Sequence, residues 1–212
     1  MTYEQVKNRV LQLLNQYTVA GTHVPSSYNN QQDYLNRIPD LVNDAMMEIA
    51  TTVRKIPALL HLNIDDEYTE FGDFVQFELP ANFYQFKTGD TLLTTEDGHV
   101  FHTNRYAIQG RNYLLIPRRE LEKGRTYTLT YYRYPIPADL TSTDPLDNVP
   151  ETHEAIPYYV AAFIVIHDDS FLYASFYNKY EDKLSKMSPD ISAEVHSVGD
   201  VYNFDSGYVY WS

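Results

Sequence analysis

The sequence predicts an α+β protein: a three-helix bundle, a small antiparallel β domain inserted between helices two and three, and an extended C-terminal arm. Three observations carry that expectation. Apolar residues recur every three or four positions across residues 1–57 and again across 154–187, which is helical spacing. Across residues 58–135 the spacing drops to two, which sets alternate side chains on one face of a strand. Residues 136–153 form a connector with Pro137, Pro145 and Pro150, and residues 188–212 scatter aromatics among glycine and small polar residues with neither period.

Thr2-Tyr3-Glu4-Gln5 has the form of a capping box, with Thr2 as N-cap and Gln5 reaching back. Behind it Val6, Val10, Leu13, Leu14 and Tyr17 mark an apolar face that ends near Gly21. A polar linker with Pro25, Ser26, Ser27, Asn29 and Asn30 follows. The second helix is expected to begin between Asp33 and Pro39. Its stripe is Ile38, Leu41, Val42, Ala45, Met46, Ile49, Val53 and Ile56, and Pro57, which has no N–H to continue the ladder, is expected to stop it.

In the β region Val75, Phe77 and Leu79 share one face, as do Tyr127, Leu129 and Tyr131. Asp97-Gly98 is a two-residue hairpin signal. Gly110-Arg111-Asn112 and Glu122-Lys123-Gly124 mark two further turns, and Pro80 and Pro117 must stand at strand ends or edges. The pattern reads as five to seven short antiparallel strands in a small sandwich or barrel.

Residues 154–187 read as one long helix. From Ile156 to Ile166 it is apolar on nearly every side, and such a helix must be enclosed. The run is too short for a bilayer, which needs about 20 residues, and His167, Asp168 and Asp169 follow at once. With only two other helices in the chain, neighbouring copies are expected to cover Ile156, Tyr159, Val160, Phe163, Ile164 and Ile166. Tyr173, Tyr177, Tyr180, Leu184 and Met187 continue as a single stripe. The arm then carries Tyr202, Phe204, Tyr208, Tyr210 and Trp211. An aromatic terminus of this kind seldom folds alone. It either adds a last strand to its own β domain or docks on another chain by strand addition, with Tyr210 and Trp211 as anchors.

Composition narrows the function. Of 212 residues, 43% are hydrophobic and 21% charged, which excludes a disordered chain. Twenty Tyr beside 10 Phe and 1 Trp suit either a sheet or surfaces buried on assembly. The absence of cysteine removes disulfides, thiolate metal sites and cysteine nucleophiles, and fits a reducing compartment. MTYEQVKNRV has no apolar core or basic leader, so neither export nor a membrane anchor is expected. Net charge is −13, unevenly spread. From Asp139 onward 13 acidic residues oppose Lys179, Lys183 and Lys186, a net of −10. Arg105, Arg111, Arg118, Arg119, Lys123, Arg125 and Arg133 face only Glu120 and Glu122, a net of +5. The chain is expected to be electrically two-ended, and its acidity argues against binding nucleic acid by phosphate neutralisation.

No phosphate-binding loop, nucleophile elbow, HExxH or EF-hand pattern is present. His99 and His102 near Glu96 and Asp97 could suggest a metal site, but strand positions three apart face opposite sides. His167-Asp168-Asp169 reads as a solvated break or an ion pair to a neighbour, and Asp65-Asp66-Glu67 as a solvated loop. No catalytic residue, cofactor or metal is expected.

Three stretches carry a family resemblance: Leu79-Pro80-Ala81-Asn82-Phe83-Tyr84, then Tyr127-Thr128-Leu129-Thr130-Tyr131-Tyr132-Arg133-Tyr134-Pro135, then Ile156-Pro157-Tyr158-Tyr159-Val160-Ala161-Ala162. In this order, with a β insertion before the last helix, the chain resembles the head–tail adaptors (connectors, or head-completion proteins) of tailed bacteriophages. The resemblance implies a non-enzymatic virion protein, assembled in the bacterial host cytoplasm as a ring, typically dodecameric. Such a ring docks under the portal protein, joins it to a tail or nozzle protein and passes DNA through its lumen without binding it specifically. It also implies that Tyr202, Phe204, Tyr208, Tyr210 and Trp211 form a portal-docking arm. Part of the acidic excess would line the channel, where like charge keeps DNA from sticking. Two other classes compete: a carbohydrate-binding module that uses the Tyr-rich sheet, and a metal-dependent hydrolase built on Asp97, His99 and His102.

Overall fold

The computed structural model describes residues 1–19, 28–64, 69–86, 91–95, 100–103, 106–110 and 112–187. Among them are four α-helices and two small antiparallel sheets, an α+β architecture. The chain divides into two units, residues 1–42, 142–144 and 150–212 in the first and residues 43–141 and 145–149 in the second.

In the first unit α1 (Tyr3–Val19) opens on the capping box the sequence predicts. Gln5 N donates to Thr2 Oγ1 at 3.2 Å and Thr2 N donates to Gln5 Oε1 at 3.0 Å, so two otherwise orphaned donors are satisfied. Val6, Val10, Leu13 and Leu14 are buried. The next helix, α2 (Tyr28–Glu48), begins earlier than expected and runs through Pro39. An interior proline removes one ladder bond and costs about 3 kcal/mol, which is why the sequence favours a start nearer to it. Burial of Ile38, Val42, Ala45 and Met46 along the stripe outweighs that cost. Residues from Asn43 onward belong to the second unit.

The helix also ends sooner than expected. After Glu48 the chain widens into a single π turn, Ile49–Val53, and Arg54 is extended at φ −140° and ψ 95°. The hydroxyls of Thr51 and Thr52 donate to the carbonyls of Met47 (2.8 Å) and Glu48 (2.6 Å), bonds back to the preceding turn that bend helices. Ile56 and Pro57 therefore begin a strand instead of closing the helix.

A larger correction concerns residues 154–187, which form two helices, not one. The first, α3 (Ile156–Val165), stops before Ile166, and α4 (Ser170–Ser185) starts after Asp169. Asp169 takes an extended backbone (φ −150°, ψ 102°), and its Oδ1 accepts from the N–H groups of Phe171 and Leu172, each at 2.9 Å. A short carboxylate side chain competes with the helical ladder for backbone donors. Here it wins, and caps the new helix.

The second unit holds nine strands among the described residues, more than the five to seven expected: β1 (Ile56–Asn63), β2 (Thr69–Phe71), β3 (Phe74–Glu78), β4 (Phe83–Phe86), β5 (Thr91–Thr95), β6 (Val100–Thr103), β7 (Ala107–Gln109), β8 (Tyr113–Pro117) and β9 (Thr126–Arg133). One sheet runs β1-β9-β5-β6, with β4 also paired to β9; the other runs β2-β3-β8-β7. Val75, Phe77 and Leu79 are buried as the alternation predicts, and so are Tyr127, Leu129 and Tyr131. With Leu62, Ile64, Phe86, Leu114 and Ile116 they form one core drawn from both sheets, a small sandwich. Thr94 pairs with Val100 across the Asp97-Gly98 signal, which itself lies outside the described residues. Gly110, at φ +62°, supplies the left-handed residue between β7 and β8.

Candidate assembly surfaces

The α3–α4 pair is a helical hairpin. Tyr159 meets Tyr180 edge-on at 5.2 Å between ring centroids, while Phe163 meets Tyr173 at 5.8 Å and Tyr177 at 6.2 Å. Residues rising along α3 thus face residues falling along α4, which is antiparallel packing. Tyr159 and Phe163 also touch each other at 4.5 Å. From α2, the Arg37 guanidinium donates to the carbonyls of Phe163 (2.8 Å) and Ile164 (3.2 Å), placing a cation at the negative end of α3. The Tyr34 hydroxyl donates to Asp168 at 3.2 Å, and burial, then the Asp168 charge, raise the phenol above its ordinary pKa.

This hairpin supplies from the chain itself much of the cover that the sequence assigned to neighbouring copies. Ile156, Tyr159, Val160 and Ile164 are buried within the chain, and Phe163 and Ile166 are half-buried. The missing cover is α4, folded back, together with α1. Four of the six residues expected to meet a neighbouring copy are therefore enclosed at home.

The other expected groups fall as follows. Tyr202, Phe204, Tyr208, Tyr210 and Trp211 lie outside the described residues, as do Asp97, His99 and the Asp65-Asp66-Glu67 loop. His102 stands in β6. His167, Asp168 and Asp169 are exposed and serve the break between α3 and α4. Among the described residues no three His, Cys, Asp or Glu side chains gather as metal ligands, and no helix is long and apolar enough to cross a membrane.

The charge pattern is less two-ended than the sequence suggests. Arg125 pairs with Glu122 at 2.7 Å. Arg133 makes a two-pronged pair with Asp147, from the acidic stretch, at 2.5 and 2.6 Å. Ile136 N adds a third bond to that carboxylate at 2.6 Å. Burial alone would push the Asp147 carboxyl up, but the Arg133 and Ile136 hydrogen bonds and the guanidinium charge hold it below the usual carboxylate range.

Two features remain that could meet a partner. In the second unit a groove of about 710 Å³ is lined by Pro80, Phe83, Tyr84, Ile108 and Tyr134, with Tyr84 and Tyr134 at 5.0 Å. Elsewhere, large apolar side chains stand in solvent: Phe171 at 78% exposure, Leu59 at 60%, and Ile136 and Leu140 above half. Sequence reasoning missed Leu59, although a signal existed. Leu59 and Leu60 are adjacent in a strand of period two, so one of them had to face outward.

Compared with models of known families, the sequence matches that of the SU10 adaptor protein over residues 1–201. No curated protein matches it.

Proposed function

We infer a function from the family to which this chain belongs, that of the SU10 adaptor protein. It is a phage structural adaptor and a component of the virion. In finer terms it is a head–tail adaptor without enzymatic activity. Copies form a ring, typically dodecameric, that docks beneath the portal protein, joins it to the tail or nozzle protein and surrounds part of the DNA channel. It is assembled in the bacterial host cytoplasm.

The observation that carries this reading is the extent of the match, which takes in every described helix and strand. The net charge of −13 fits a protein that lets DNA pass instead of holding it. The enclosed α3 lends no support to a ring.

Electron microscopy of the purified protein mixed with its phage's portal tests the reading. Ring-shaped density added to one face of the portal is expected. Portal particles that stay bare at every mixing ratio would refute it.

A further inference from the structure

Edge strands are usually guarded, because an unpaired row of N–H and C=O groups is a template for another strand. Among the described residues four strands at sheet edges are guarded by shortness: β4 and β6 have four residues each, β2 and β7 three each. The remaining edge, β1, is longer, and Pro57 near its start is its one guard. Its eight residues, IPALLHLN, carry no charge and pair with β9 in unbroken register from Ile56↔Arg133 to Asn63↔Thr126. Among the described residues β9 is its only partner strand. Pro57, Leu59 and His61 stand exposed on its outer face, while Ala58 and Leu60 on the inner face are only half covered. An adjacent strand would bury Leu59 and complete the cover of Leu60.

The chain itself carries a segment of matching character. Twenty-five residues follow Met187, and the family match stops at residue 201, so the aromatics from Tyr202 onward lie beyond it. Residues 206–212, SGYVYWS, are uncharged like the edge, and as a strand they would set Tyr208 and Tyr210 on one face and Val209 and Trp211 on the other. Residues 188–212 fully extended reach about 80–90 Å, against a radius of gyration of about 17 Å for a globule of this length. That reach spans to a neighbouring molecule. Giving a segment to one neighbour and receiving one from the other is a heterologous contact, the kind that closes rings.

We propose that the open edge of β1 accepts residues 206–212 of a neighbouring copy as an added strand, lacing subunits together. This rests on the ring reading above, and it gives the arm a sibling for its seat in place of the portal. Main-chain hydrogen bonds supply the attachment, and Leu59 beside the incoming aromatics supplies selectivity.

Hydrogen exchange read by mass spectrometry tests it, on the full chain and on a chain ending at residue 201, each at high and low concentration. In the concentrated full chain, the amides of residues 56–62 should exchange about tenfold more slowly than in the truncated chain. The protection should fade on dilution, and a synthetic peptide of residues 200–212 should restore it to the truncated chain. Leu59→Lys in the full chain should keep the fold, because the side chain is exposed, and weaken self-association. Equal exchange with and without the segment would overturn the proposal, and so would protection that persists at every dilution, which would mean that each chain seats its own segment. The truncated chain should still bind portal. Loss of portal binding on truncation with β1 exchange unchanged would sink the lacing but leave the adaptor reading standing, whereas a full chain that never binds portal would sink the adaptor reading itself.

Discussion

Asp147 sits within reach of three donors, two from Arg133 and one from the Ile136 backbone. Its carboxyl is held below the ordinary value, so its contribution to stability is fully present above the unfolded pKa, near 3.9. That contribution fades as pH falls through the lower folded value. Asp147→Asn should cost about 1.5–3 kcal/mol at neutral pH. Urea denaturation from pH 7 down to pH 2 should show the gap between the two proteins closing below about pH 4. Asp169→Ala removes a cap that receives two N–H groups and should cost about 1 kcal/mol. By contrast Glu154 and Lys183, paired at 2.6 Å but largely in solvent, should contribute little. At this scale the capping box of Thr2 and Gln5 was legible, because both partners lie within four residues. The Arg133–Asp147 pair was not, because the 13 residues between its members carry no pattern that predicts a return.

The helical hairpin shows where periodicity misleads. Tyr173, Tyr177 and Tyr180 keep helical spacing with one another, and they follow an apolar run, so spacing alone joins the two stretches into one rod. A helix–helix connection needs as few as two residues, too few to disturb a periodic count. The clue was His167-Asp168-Asp169-Ser170, which offered the turn its own cap. Strand faces fared better: the residues alternating from Val75 and from Tyr127 point to the core as their period requires. Edges fared worse, since strand order depends on pairing across distant residues and leaves no local mark. For the hairpin, Phe176 is fully buried on α4, and Phe176→Ala should cost about 3–5 kcal/mol in chemical denaturation.

For the molecule as a whole, the sandwich core draws only on residues of the second unit, while Phe176 lies in the first. Phe176→Ala should therefore speed amide exchange in α1, α3 and α4 while the core amides of β8 and β9 keep their protection. The α+β class was readable because stretches of helical spacing and stretches of strand spacing are distinct in the sequence. The candidate surfaces were far less readable. An apolar residue signals only that it must be covered, and the same six letters serve a subunit contact or a buried helix equally well. Which one applies depended on a four-residue turn.

Because α3 is already wrapped by its own chain, a newly made copy needs no sibling in order to finish folding. Ile156, Val160 and Ile164 are out of reach of other molecules from the start, while Phe163 and Ile166 keep part of their surface open. The schedule of construction would then follow the appearance of a docking site and not the maturation of the part.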